Sequence, residues 1–184
     1  MTTVYTSSLA SNDKKAVGTH LFIVGVGEYP CLLGGDPKQL LEDPMGLKQL
    51  SSPPVSAAAL ASWFLGRQGP SGAAVGFHNP NAPLATVEML LSPSQSYTGP
   101  GVAPVPVAAA TRANIVQSFK LWKDRVAADP GNIAVFYFCG HGVMGVNDYL
   151  MPSDFGALNP ANPWQDLVDI WSAPQGLDRI RRQF

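Results

Sequence analysis

The stretch Asn132-Ile133-Ala134-Val135-Phe136-Tyr137-Phe138-Cys139-Gly140-His141-Gly142 decides how this chain is read. Residues Ile133 to Phe138 are all apolar or aromatic, the pattern of a strand buried on both faces. Cys-Gly-His-Gly follows at its carboxyl end. A histidine between two glycines at a strand tip is held out of the core, over the edge where open α/β sheets keep their ligand and catalytic sites. The flanking glycines let the backbone bend tightly and approach a ligand closely.

Upstream of this strand, Thr111 caps an amphipathic helix whose apolar residues Ile115, Phe119, Trp122 and Val126 fall at i, i+4, i+7 and i+11, one stripe facing a sheet. Asp129-Pro130-Gly131 stops that helix. Further back, His20 to Val26 and Ala85 to Leu91 are short apolar runs that read as two more buried strands. Pro53-Pro54 opens an alanine-rich helix running to Leu65, proline being tolerated in a first helical turn. Residues 66–83 read as a loop, and the prolines between Ser92 and Pro106 exclude regular structure over most of that stretch. Downstream, Asn147-Asp148 marks a hairpin turn before Tyr149-Leu150-Met151, and Trp164 to Arg182 reads as helical with a break at Pro174-Gln175-Gly176. Strands alternating with helices imply an α/β fold with a mostly parallel central sheet covered on both faces. Residues 1–18, rich in Ser, Thr and Asn toward the start, read as a flexible leader, and residues 19–184 as one domain.

The 184 residues are 46% hydrophobic and 14% charged, enough for a packed core. A formal net charge of −1 provides no basic stripe, so nucleic acid is not an expected partner. No apolar run approaches the roughly 20 residues that span a bilayer, no membrane association is expected, and the start of the chain has no signal-peptide core. Two cysteines, Cys31 and Cys139, are too few for a disulfide scaffold and suit a reducing cytoplasm. They form no zinc spacing with the histidines, so no metal is expected. Gly25-Val26-Gly27-Glu28-Tyr29-Pro30 mimics the opening of a dinucleotide fingerprint, but proline replaces the third glycine and no helix opens there. Trp122, Trp164 and Trp171 read as packing residues rather than a ligand cage.

The strand ending in Gly140-His141-Gly142, with Asp148-Tyr149-Leu150-Met151-Pro152-Ser153-Asp154 after it, resembles the histidine half of the caspase-like cysteine peptidases, the clan of caspases and metacaspases. The resemblance covers about residues 19–172 and rests mainly on 133–154. It implies a caspase-like three-layer sandwich and thiol-dependent cleavage of protein or peptide substrates without a cofactor. His141 would be the general base and acid, and the Gly142 amide would help hold the oxyanion. Cys139, where the family commonly has a small residue, reads as a buried thiol. Cys31 lies in the loop where the family places substrate-pocket residues and is a poor nucleophile candidate.

Caspase-type histidines lie about 50 residues before their nucleophile, and Phe184 comes first here. The resemblance therefore implies a carboxy-terminal small-subunit segment, outside this sequence, that supplies the cysteine. The alternative is a caspase-like scaffold without catalysis. Caspases select aspartate with a pocket arginine, whereas metacaspase-like relatives use acidic residues to select Arg or Lys. The loop after the first strand holds Glu28, Asp36, Glu42 and Asp43 and no arginine, which tilts the expectation toward basic substrates. Asp36, after Leu33-Gly34-Gly35, resembles the Leu-x-Gly-x-x-x-Asp region of metacaspases. Asp154 resembles the aspartate that ends the family's Leu-x-Pro-x-Asp segment, where it either lines the pocket or caps the following turn.

Overall fold

A computed structural model describes residues 2–13, 16–68, 74–144 and 147–169. In chain order the elements are β1 (Thr2–Thr6), α1 (Ser8–Asn12), β2 (Thr19–Val26), α2 (Ser52–Leu65), β3 (Arg67–Gln68), β4 (Ala74–Val75), β5 (Leu84–Ser92), β6 (Ser96–Gly99), β7 (Val102–Pro106), α3 (Arg112–Val126), β8 (Ile133–Cys139), β9 (Gly142–Met144), β10 (Asp148–Leu150) and β11 (Val168–Asp169). The central sheet has the order β1-β5-β2-β8. Strands β5, β2 and β8 run parallel, and β1 joins β5 antiparallel.

Alternation within β2 serves two layers at once. Leu21 and Ile23 face α2, packing with Ala57, Ala61, Phe64, Val87 and Met89. Phe22 and Val24 face α3, packing with Ile115, Phe119, Trp122 and Val126. The stripe read from α3 is thus its buried face, and the Thr111 side chain accepts from Asn114 N at the helix start. Helix α2 packs instead through small residues. A Cβ on Gly25 would lie 2.7 Å from the Pro53 carbonyl and 2.8 Å from Ala57 Cβ, so the glycine of the apparent fingerprint exists to let this helix approach the sheet.

Five sequence expectations change, the first being that residues 66–83, read as a loop, contain the short antiparallel pair β3–β4. Residues 2–6 of the expected leader form β1, because Val4 inserts into the α2-side core while the backbone pairs with Thr86–Met89. The proline-rich stretch contains the β6–β7 hairpin, which tolerates Pro104 and Pro106 because only the two strands pair. Pro163–Asp166 is one 3-10 turn leading into β11 rather than the start of an α-helix, and the remainder of the expected helix lies outside the described residues. Strand β8, expected to be buried on both faces, is only half-buried. Among the described residues nothing pairs with its outer edge, and Ile133 is 38% exposed.

A second, small sheet of order β11-β10-β9 stands just beyond the carboxyl end of β8. Among the described residues no helix is long and apolar enough to cross a membrane.

Candidate active site

The carboxyl ends of β2 and β8 lie side by side, with Gly25 in register with Cys139. Tyr29 follows β2, His141 follows β8, and the two meet. The His141 amide donates to Tyr29 Oη at 2.7 Å, and the imidazole and phenol centroids are 4.9 Å apart at a tilt of 46°. Tyr29 is fully buried, and burial pushes its phenol above the ordinary tyrosine range. Gly140 creates the space for this contact: a Cβ there would sit 2.7 Å from Tyr29 Oη and 3.0 Å from Phe138 Cζ. Neither Gly140 nor Gly142 has a positive φ, so close approach, not backbone freedom, is what Gly140 contributes.

The imidazole of His141 is half-exposed, and its Nε2 lies 2.7 Å from the Lys48 carbonyl oxygen. A carbonyl only accepts, so Nε2 carries the proton and Nδ1 keeps the lone pair. Gly142 starts β9 opposite Leu150. Met151 N donates to His141 O at 3.1 Å, which makes Gly142 and Leu150 a pair that exchanges no ladder hydrogen bonds. The Gly142 amide therefore points away from β10. A basic nitrogen and a peptide N–H thus come from adjacent residues at the rim of the sheet.

Neither cysteine is placed to use them. Cys31 is buried, and its thiol is held above the ordinary range by burial and then by Asp166, Asp154 and Asp36, which disfavours the thiolate. Cys139 is half-buried rather than enclosed as expected, because it is the last residue of an edge strand; its thiol meets Tyr137 and also interacts electrostatically with Tyr29, on which the His141 ring packs. Among the described residues no group of three or more His, Cys, Asp or Glu could hold a metal ion.

Three of the acidic residues, Glu28, Asp36 and Asp154, line two neighbouring clefts, and Glu42 and Asp43 line neither. One, of about 650 Å³, is lined by Glu28, Asp36, Gln49 and Leu50. The other, of about 300 Å³, is lined by Glu28, Cys31, Thr111, Ser153 and Asp154. Asp36 accepts from Lys38 N at 3.0 Å and Gln39 Nε2 at 2.8 Å, and these bonds hold its carboxyl below the usual range. Asp154 Oδ1 accepts from Arg112 N at 2.7 Å, so it caps the start of α3 while lining the smaller cleft. Glu28 borders both clefts. Its position directly after the β2 glycines was the available sequence signal, but composition alone could not rank it above Asp36.

Tyr29, Lys48 and Gln49 went unrecognised as site residues in the sequence. Lys48 contributes a backbone carbonyl, which any residue type provides, and the other two act through loop geometry.

No family model matches the chain, and no solved structure matches it. Over 122 residues, 62% of its length, the chain is 37% identical to an uncharacterized protein of Sinorhizobium fredii, y4kE. The match takes in 33% of that protein, so the chain spans about a third of the length of the curated relative it resembles.

Proposed function

We propose that this chain is the histidine-bearing portion of a cysteine endopeptidase of the caspase-like clan, with His141 as general base and acid and Gly142 as an oxyanion donor. The observation that carries the reading is the outer edge of β8. Its backbone is unpaired among the described residues and its apolar side chains are half-exposed, directly beside the half-exposed His141. A bare apolar strand edge is a template for another strand. The strand that docks there carries the nucleophilic cysteine at its carboxyl end, beside the free Nδ1. Nδ1 takes the thiol proton, the thiolate attacks the peptide carbonyl, the imidazolium protonates the amine as the C–N bond breaks, and water, deprotonated by Nδ1, then attacks the thioester to release the acid and restore the thiol. Two thirds of the matched relative lies outside the aligned segment, which leaves ample sequence for such a strand in a longer protein. Glu28, with Asp36 and Asp154 in the adjoining clefts, selects Arg or Lys before the scissile bond.

One observation favours a second reading, a scaffold without catalysis: His141 bonds Tyr29 and Lys48, and among the described residues neither Cys31 nor Cys139 forms a hydrogen bond with it. The test uses the chain expressed within its complete open reading frame. Peptide reporters with Arg or Lys at the scissile position are expected to be cut in preference to Asp. His141→Ala is expected to abolish cleavage with little change in Tm. Full turnover by that variant removes His141 from the mechanism, and a preference for Asp overturns the role of the acidic clefts. An extended chain with no thiol at the β8 edge and no turnover selects the scaffold.

A further inference from the structure

The imidazole of His141 meets two groups, the Tyr29 ring and the Lys48 carbonyl, and Gln49, next to Lys48 in the chain, bonds the Tyr29 backbone. Gln49 Oε1 accepts from Tyr29 N at 2.7 Å, and Gln49 Nε2 donates to Tyr29 O at 2.9 Å and to Leu33 O at 3.1 Å. Its amide therefore ties the segment after β2 to the segment before α2. The backbone reinforces the tie: Leu33 N donates to Leu47 O at 3.1 Å, and Leu50 N donates to Gly27 O at 2.8 Å. Lys48, whose carbonyl meets His141 Nε2, lies within this clip and pairs with Leu33 in an isolated parallel bridge.

We infer that Gln49 is a positioning residue for His141, fixing through Tyr29 and Lys48 which ring nitrogen is left free to act as the base. The inference rests on the reading of His141 as the base. The side chain suits the task because it offers an acceptor and two donors on one planar group. Glutamate at this position keeps the acceptor for Tyr29 N but turns a carboxylate oxygen toward the carbonyls of Tyr29 and Leu33. Alanine removes the tie altogether. Gln49 bonds neither the imidazole nor the His141 amide, so any effect on the ring is transmitted through the clip.

The test is hydrogen exchange by NMR on the 15N-labelled chain, with the ring signal assigned from His141→Gln. In the unaltered chain His141 Nε2–H is expected to exchange more slowly than the ring N–H of exposed His78. Equal rates overturn the proposal without any variant. In Gln49→Glu and Gln49→Ala both the ring N–H and the backbone amide of His141 are expected to exchange on the order of tenfold faster, while the amide of core residue Ile23 is unchanged. Rates within about twofold of the unaltered chain overturn it, as does an equal acceleration at Ile23, which marks general destabilisation.

In an extended, active polypeptide the same variants are expected to lower kcat on the order of tenfold or more; because Gln49 also lines the larger acidic cleft, kcat and not KM is the readout of a misplaced base. Faster ring exchange with no peptidase activity in any extended form rejects the peptidase reading and leaves the clip standing. Active enzyme whose kcat ignores Gln49 rejects the clip alone.

Discussion

Substituting Gly140 by alanine tests whether Tyr29 and His141 are packed as described. The new Cβ would lie 2.7 Å from Tyr29 Oη, 3.0 Å from Phe138 Cζ and 3.1 Å from Val26 Cβ. The phenol cannot swing away, because Tyr29 is fully buried and its hydroxyl holds the His141 amide. Overpacking of this kind costs about 1–3 kcal/mol. For a chain of this size that is a fall in Tm of about 2–12 °C. Tyr29→Phe removes the hydroxyl and leaves the His141 N–H without its acceptor, a loss of about 1 kcal/mol. The double variant is the informative one. Removing Oη also removes the closest clash, so it should be more stable than the sum of the single effects predicts, by about 1 kcal/mol. The assay is thermal or urea unfolding of the four proteins in one double-mutant cycle. Additivity within about 0.3 kcal/mol, or a Gly140→Ala variant as stable as the parent, refutes the packing argument.

Two further predictions concern the opposite end of the sheet. Glu88 is fully buried and paired with Arg125 of α3, so Arg125→Ala strands a carboxylate in the core and should destabilise the chain by about 3 kcal/mol in urea unfolding, with Arg125→Lys costing less. His20 is buried against Thr86 and its pKa is held below 6.5, first by burial and then by Arg125. The unfolded chain therefore binds this proton more readily than the folded one, so His20 contributes stability that is present above about pH 6.5 and lost as pH falls toward the lowered folded value. His20→Gln should flatten that acid limb of the stability–pH curve, and an unchanged limb would remove His20 as its source.

Elements whose burial shows in sequence as a periodic stripe or a continuous apolar run were readable before the structure. The α3 stripe and the cores of β2 and β5 are of this kind, since a run that packs within the domain displays its pattern locally. The leader was misjudged because β1 is polar on one side and joins the sheet through a single buried side chain, Val4, and through backbone pairing, which leaves no compositional trace. Proline obscured the β6–β7 hairpin in the same way, for a two-strand ribbon leaves Pro104 and Pro106 with no further ladder to satisfy. His141 and Gly142 were visible as types and spacing. Their surroundings were not, because Tyr29 and Lys48 lie about a hundred residues away along the chain and reach them only through folding.

The sequence by itself determined that residues 133–138 form a strand of apolar and aromatic side chains, a run that gains by leaving water. It also determined that a histidine follows at the strand's tip. Only the tertiary structure decided that the run lies at the edge of the sheet, half-covered, with its outer backbone unpaired among the described residues. The same structure oriented the imidazole through the Lys48 carbonyl, leaving Nδ1 without a hydrogen-bond partner among the described residues. Hydrophobicity specifies how much surface must be covered but carries no information on which strand covers it, and a tautomer depends on the one acceptor that folding brings within reach.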